Sequence, residues 1–386
     1  CPARRRAPPA LMENRVLSCL SRRRPALLRA ASLLNTLLAA VLLAAAPATA
    51  AHHHGHAVSK TRSASKPAAR PGPPLGNEAA VQEFVSDFVA RNGGDAAALL
   101  QAFRQAPVLP GVLQAIAPPS HPGQRSWERY RPRFVNAGRI ERGLRFWERH
   151  ADTLSRAAAR YGVPEEIIVG IIGVETEYGR NMGQYAVLAA LGTLAFHYPR
   201  RAEFFREELE HFLLLCRENR LDPLQIRGSF AGAIGIPQFM PGSQRRYGVD
   251  FDGDGRVDLA GSPEDAIGSV AHFLQQHGWQ RGERVALPTR IDDGVTESRL
   301  NTALSPDGRP NLDWRALGEL GIRIPPLTDA GDLPAKATLI DLTTPDEATE
   351  YWLGFSNFYV ITRYNRSNFY AMSVHQLAQA IRERRE

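Results

Sequence analysis

From Pro164 to Gly179 the chain reads Pro-Glu-Glu-Ile-Ile-Val-Gly-Ile-Ile-Gly-Val-Glu-Thr-Glu-Tyr-Gly. Proline suits the first helical position, and the two acids behind it suit the positive end of a helix. The pattern predicts a helix running through Ile167 and Ile172 towards Gly179. At 100° per residue, Glu175 projects about 20° from Ile168 and about 40° from Ile171, on the stripe that must be buried. A carboxyl there is desolvated, which raises its pKa and keeps it protonated near neutral pH. That property suits a general acid acting on a glycosidic oxygen. The competing reading is a glutamate paired with one of the many arginines, and helix geometry alone does not choose. Glu177 projects about 160° away from Glu175. It cannot be the facing member of a two-carboxylate glycosidase and reads as a solvated or structural acid.

Other helices follow from the same reasoning. Asn77 is a candidate cap before Val81, Phe84, Val85, Phe88 and Val89, and Gly93-Gly94 ends that run. Ile140, Leu144, Trp147, Ala151 and Leu154 share one face of a further helical pattern. Pro199 opens another, ending near Arg220, and Ser367 caps a last helix reaching Arg382. Between residues 286 and 360, short β-rich runs such as Ala337–Leu342 and Phe358–Thr362 alternate with turn residues.

The sequence carries 47 basic and 40 acidic side chains, a net charge of +7. Eight of the arginines and one glutamate lie in residues 1–50, which leaves 39 of each sign in 51–386. The excess therefore sits in the leader and gives no reason to expect a nucleic-acid partner. Residues 1–50 read as a signal peptide: Arg22–Arg24 and Arg29, an apolar run Leu33–Ala46, then Ala48-Thr49-Ala50. Export to the periplasm is expected, with a retained anchor as the alternative. No cysteine stands at the end of the apolar run, so a lipid anchor is not expected. Residues 51–76 read as a flexible linker. His52, His53, His54 and His56 within it could hold a metal, but a flexible tail lacks the groups that orient imidazole ligands. Cys216 stands in an apolar helical run and reads as core.

The segment Gly162–Gly179 resembles the catalytic helix of the lytic murein transglycosylase B family (glycoside hydrolase family 103, lysozyme-like superfamily). The resemblance continues through Phe196-His-Tyr-Pro-Arg-Arg-Ala202, Gly228-Ser-Phe-Ala-Gly-Ala-Ile-Gly-Ile-Pro-Gln-Phe-Met-Pro241, Asp265-Ala-Ile-Gly-Ser-Val270 and Asn357-Phe-Tyr-Val-Ile-Thr-Arg-Tyr-Asn365. It covers roughly residues 77–386. It implies a mainly α, α+β fold: a lysozyme-like catalytic core with an appended helical segment and a small β-containing part. It also implies one catalytic acid/base, Glu175, cleaving the β-1,4 bond between N-acetylmuramic acid and N-acetylglucosamine in peptidoglycan. The muramoyl C6 hydroxyl is then the nucleophile and closes a 1,6-anhydro ring. Because that nucleophile is already on the sugar, one carboxyl suffices. Tyr130, Ser229, Gln238, Met240, Tyr364, Asn365 and Tyr370 match positions lining the family's glycan cleft. Met240 and Tyr370 have a plain core reading as well. Glycan strands are the expected partner, with cell-wall synthesis and hydrolysis complexes as candidate protein partners. No organic cofactor is expected.

Asp250-Phe-Asp252-Gly-Asp254-Gly255-Arg256-Val-Asp258 fits the start of an EF-hand loop. Acids fall at positions 1, 3, 5 and 9, Gly255 makes the turn, and the Arg256 carbonyl serves at 7. Position 12 is Gly261 rather than a glutamate. The resemblance implies a lengthened loop, 250–265, closed by Asp265, with Glu264 as a rival. Four acids in nine residues repel unless a cation sits among them, and Ca²⁺ suits many flexible oxygen ligands. A structural role is expected; a solvated acidic turn is the alternative. Three other functions compete with the leading one. A muramidase using water would need a second carboxylate about 6.5–9.5 Å away. A non-catalytic glycan-binding protein would not need Glu175. A calcium sensor would need paired loops.

Overall fold

The computed structural model describes residues 70–118, 125–305, 307–324 and 333–386, all within one compact unit. The expected leader, most of the linker and its histidines lie outside the described residues. Helices α1 (Ala79–Asn92), α2 (Ala96–Gln105) and α3 (Pro110–Ile116) come first. A short α4 (Trp127–Tyr130) leads to α5 (Ala137–Arg149), α6 (Ala151–Tyr161) and α7 (Glu165–Thr176). Strand β1 (Tyr185–Ala186), α8 (Val187–His197), α9 (Ala202–Glu218) and β2 (Arg227–Gly228) follow. Helices α10 (Pro241–Tyr247) and α11 (Pro263–Gln276) flank the acidic loop. The next stretch holds β3 (Ala286–Pro288), β4 (Arg290–Ile291), α12 (Glu297–Ala303), α13 (Trp314–Glu319), β5 (Ile322–Arg323), β6 (Thr338–Leu342) and β7 (Glu350–Gly354). Helices α14 (Ser356–Tyr364) and α15 (Asn368–Arg385) close the chain.

Three apolar cores organise these elements. The first is built by α5, α6, α7, α11, α14 and α15, with Ile340 and Leu342 of β6. The second joins α1–α3 to α8 and α9. The third lies in the small β part, where β3, β7 and β6 form an antiparallel sheet and β4 pairs with β5. The glycine-rich segment spans the first two: Phe230, Ile234 and Met240 enter the second core, Ile236 and Phe239 the first. A mainly helical, lysozyme-like arrangement with a small β part is thus the observed architecture.

Helix α7 forms because almost every residue from Ile167 to Val174 finds apolar surroundings. Pro164 is its cap residue rather than its first helical one, and Glu165 and Glu166 occupy the first turn. Glycines let its neighbours come close. A Cβ on Gly170 would sit 3.0 Å from the Val374 carbonyl oxygen of α15, and one on Gly173 would sit 2.6 Å from the Tyr178 hydroxyl. Tyr178 fills the slot between Gly173 and Gly143 of α5. The helix stops where Glu177 (φ 54°), Tyr178 (φ 64°) and Gly179 (φ 81°) turn left-handed in succession. Two of these are not glycine, a conformation that costs energy and persists only where the surroundings enforce it. Arg142 supplies one restraint by pairing with Glu177. Arg139 supplies another by donating from Nη1 to the Gly173 carbonyl.

Three local expectations change. Ile140 to Leu154 is not one helix but two, broken at His150 (φ −115°, ψ 26°), which lets α5 pack on α7 and α15 while α6 packs on α11. Phe358–Thr362 is part of α14, not a strand. A short buried apolar run does not reveal its period, and here the Asn357 amide, bonded to Gln280 and Glu283, fixes the helix start. Order begins before Asn77: Gly72 N–H donates to the Val108 carbonyl, and Leu75 is fully buried.

Substituting Gly173→Ala should cost roughly 1–3 kcal/mol through overpacking against Tyr178 and Leu377. Urea denaturation measures this directly. An unchanged midpoint would show that the slot is looser than the contacts imply.

Candidate active site

Glu175 lies one residue before the end of α7, on the side facing α15. Tyr370, fully buried on α15, donates its hydroxyl to Glu175 Oε1 at 2.6 Å. Among the described residues Glu175 forms no ion pair, so the arginine-paired alternative does not hold. Burial pushes its carboxyl up from 4.5 to about 7, opposed only by the Tyr370 hydrogen bond. Tyr370 occupies Oε1, and Oε2 has no hydrogen-bond partner among the described residues.

Three tyrosines surround this carboxyl. Burial first and the Glu175 charge second hold Tyr130 up at about 12 and push Tyr364 and Tyr370 well above their ordinary value. The Tyr364 ring lies parallel to that of Tyr370, centroids 6.4 Å apart, and its hydroxyl donates to the Pro237 carbonyl at 2.6 Å. Tyr130 packs with Phe134, Phe369 and Trp127. These hydroxyls stay protonated and serve as neutral hydrogen-bonding groups in an aromatic wall.

The glycine-rich segment folds as two tight turns. Ser229 Oγ accepts from Ala233 N–H, and Ser229 N–H donates to the Ala233 carbonyl. Ile234 and Phe239 exchange backbone hydrogen bonds around a turn that holds Gly235 (φ 76°) and Gln238 (φ 51°). Gln238 donates from Nε2 to the carbonyls of Met182 and Gly235. Thr176, beside Glu175, donates its hydroxyl to the Ile236 carbonyl at 2.8 Å, so the helix end and this loop are one unit. Asn365 is buried and its Oδ1 has no partner among the described residues. Met240 packs in the second core and has little surface to offer a sugar.

Glu177 is held by Arg142 and accepts from Asn181 Nδ2, the structural role open to it. Two tying residues, Thr176 and Tyr178, were not singled out from sequence. Glu208 of α9 was also missed. Its carboxyl accepts from Gly242 N–H at 2.8 Å, and burial pushes it up to about 7. The test that singled out Glu175 finds it: Glu208 projects about 60° from Phe205 and about 40° from Phe212 on a buried stripe.

In the acidic loop the carboxylates of Asp250, Asp252 and Asp254 converge, with oxygens within 4.8 Å of one another. Asp258 and Asp265 are not part of that group. Asp258 Oδ1 accepts from the N–H groups of Ala260 and Gly261. Asp265 is buried and accepts from the N–H groups of Phe251 and Asp258, so it fastens the loop to α11. Arg256 is exposed, and its N–H donates to Asp254 Oδ1. Glu264 faces His150 at 3.3 Å, away from the loop.

A carboxyl raised by burial binds its proton more tightly in the folded state. Its contribution to stability is whole below the unfolded value near 4.5 and is lost as pH rises through about 7. Glu175→Gln lacks this term. Relative to the parent, the variant should therefore gain stability between pH 5 and pH 8 in urea titrations. A difference that is the same at both pH values would contradict the raised carboxyl.

Comparison with known proteins places this geometry. The family model described as Transglycosylase SLT domain matches residues 76–379. The membrane-bound lytic murein transglycosylase B of Escherichia coli (strain K12) is 42% identical over 320 residues, covering 80% of this chain and 84% of that protein. Catenated lytic transglycosylase SltB1 from Pseudomonas aeruginosa superposes with TM-score 0.73 at 46% identity, over 81% of this chain and 99% of the other. The E. coli lytic transglycosylase Slt35 in complex with calcium gives 0.72 at 41%, over 82% and 96%. SltB3 from P. aeruginosa in complex with NAG-anhNAM-pentapeptide gives 0.67 at 30%, over 78% and 79%. With the match running through Glu175, the glycine-rich turns and the tyrosine wall, the chain belongs to the SLT-domain lytic transglycosylase family.

Proposed function

We infer that this protein cleaves the β-1,4 bond between N-acetylmuramic acid and N-acetylglucosamine, leaving 1,6-anhydro-N-acetylmuramic acid ends, with Glu175 as its acid and base. The observation that carries this is a carboxyl of raised pKa with no charged partner among the described residues, held by one tyrosine hydroxyl. The neutral acid gives its proton to the glycosidic oxygen as the C1–O bond breaks. The resulting carboxylate then takes the C6 hydroxyl proton while O6 bonds to C1, and the enzyme returns to its starting state. A raised pKa serves both halves, because the acid must be loaded and the base competent near the same pH. An intramolecular nucleophile needs no second carboxylate, and Glu177, engaged with Arg142, offers none. The P. aeruginosa SltB3 bound to an anhydro-muramoyl fragment supports glycan strands as the substrate.

The tyrosine wall, Ser229, Gln238 and Asn365 are proposed to line the glycan cleft. The unpartnered Asn365 Oδ1 is positioned to accept a hydrogen bond from a sugar hydroxyl or amide. Cell-wall turnover in the periplasm is the proposed setting. It rests on the leader-like residues 1–50 and on the substrate; residues 77–386 form the proposed catalytic region. No helix among the described residues is long and apolar enough to cross a membrane.

Calcium fits the acidic loop. Three carboxylates converge, each held by loop N–H groups or, for Asp252, also by the Ser262 hydroxyl. Oxygen donors of this kind suit a hard cation. We propose that Ca²⁺ binds Asp250, Asp252 and Asp254, with the Arg256 carbonyl completing this side, and that Asp258 and Asp265 shape the loop. The calcium-bound Slt35 supports the choice of ion. Its contribution is to stability: Ile236 N–H donates to the Leu259 carbonyl, which ties this loop to the glycine-rich turns.

Glu175→Gln should lower cleavage by at least about 10²–10⁴-fold, the usual loss for one general-acid or general-base role, while glycan binding persists. Glu177→Gln should cost far less. Mass spectrometry of wild-type products should show muropeptides one water lighter than hydrolytic ends. Reducing muramic acid ends from the outset would mean a muramidase, and an active Glu175→Gln would mean the wrong residue.

Calcium should raise the melting temperature of metal-free protein, and Asp252→Ala or Asp254→Ala should weaken that rise. Identical melts with EDTA and with calcium would remove the metal site.

A further inference from the structure

A groove of about 470 Å³ lies where α2 and the start of α3 face the β1–β2 ribbon and α8. Its rim carries Gln105, Gln184, Tyr185, Gln225 and Arg227, and Leu188 lies buried in its floor. Tyr185 is 39% exposed, one of two large hydrophobic side chains so exposed among the described residues. The three amides and the Arg227 guanidinium, all exposed, make no side-chain hydrogen bond or ion pair among the described residues. They are therefore available to a ligand.

The backbone links this groove to the proposed reaction cleft. Met182 accepts at its carbonyl from Gln238, which is proposed to line that cleft. One residue on, Gly183 lies so close to the β2 end that a Cβ would fall 2.1 Å from the Gly228 carbonyl oxygen. Tyr185 then pairs in register with Gly228, the neighbour of Ser229. Tyr185 is three steps along the chain from Met182, at most about 11 Å. The groove is thus built on the same short stretch of backbone that holds Gln238 and adjoins Ser229.

Resting on the assignment of glycan strands as substrate, we propose that this groove is a distal saccharide site that holds a further part of the strand being cut. Primary amides pair with vicinal hydroxyls and N-acetyl groups, both as donors and as acceptors. An exposed tyrosine ring offers a face to sugar C–H groups, and an apolar floor accepts N-acetyl methyls. Arg227 is the one charged side chain in the lining, so the groove does not match a stem peptide with several carboxylates.

The test compares the wild type with the double variant Tyr185→Ala/Gln225→Ala on long peptide-free glycan strands, long peptide-bearing strands and a peptide-free tetrasaccharide. Both positions are exposed, and an unchanged melting temperature confirms the fold; Gln184→Ala is a milder second variant. The double variant should raise KM for long strands by roughly tenfold, with kcat and the tetrasaccharide reaction unchanged. No change on long strands, or an equal loss on long strands and the tetrasaccharide, overturns the proposal. A loss seen only on peptide-bearing strands assigns the groove to the stem and overturns it too. If the wild type cuts none of these substrates, the assignment of activity fails instead. Direct titration of both proteins with peptide-free strands then still decides the groove: equal affinities sink it.

Discussion

The contact between the Tyr370 hydroxyl and the Glu175 carboxyl organises the proposed active centre. It exists because α7 and α15 lie close, and they lie close because α7 presents Gly170 and Gly173 where larger residues would hold its neighbours off. An apolar helix surrounded by protein then carries one carboxyl into a place where ionisation is unfavourable. The hydroxyl bond works against this shift but does not cancel it, so the acid stays near the midpoint of its titration at neutral pH. One group can then act as acid in the first half of the reaction and as base in the second.

A catalytic carboxyl must also face a defined sugar position, which requires a stiff surround. The left-handed turn at Glu177 and Tyr178 is energetically costly, and the Arg142 pair, the buried Tyr178 ring and the Arg139 bond to Gly173 enforce it. From there Thr176 ties to Ile236, and Ile236 ties to Leu259 in the acidic loop. Helix α7, the glycine-rich turns and the acidic loop thus form one hydrogen-bonded chain. A cation in the acidic loop would stiffen the far end of that chain without touching the chemistry.

Much of this was legible in the sequence. The stripe containing Ile168, Ile171 and Glu175 placed the carboxyl on the inward face of α7, the resemblance supplied its proposed role, and Ser367 marked the start of α15, where its side chain accepts from Tyr370 N–H. What the helical period could not give was the partner of Glu175 or its role. Tyr370 lies 195 residues away, and only the resemblance placed it at the site. The break at His150 was hidden because the apolar repeat continues in phase across it. Phe358–Thr362 misled because a fully buried run shows no amphipathic period. The acidic loop was read by ligand spacing, but spacing does not say which carboxylates converge: Asp250, Asp252 and Asp254 do, while each of the five acids also accepts a backbone N–H. Asp265 is buried and accepts from Phe251 and Asp258 N–H, and Asp258 accepts from Ala260 and Gly261 N–H. Glu208 was findable by the stripe argument and was passed over because no motif drew attention to it.

The central claim is that burial alone, against one tyrosine hydroxyl, sets the ionisation of Glu175. The most direct measurement is the titration of its side-chain carboxyl by ¹³C NMR, assigned by loss of the signal in Glu175→Gln. A midpoint near 7 is expected, as the surroundings of the carboxyl require. A midpoint near the ordinary 4.5 would contradict the account, since the acid would then be empty at the pH where it must give up a proton.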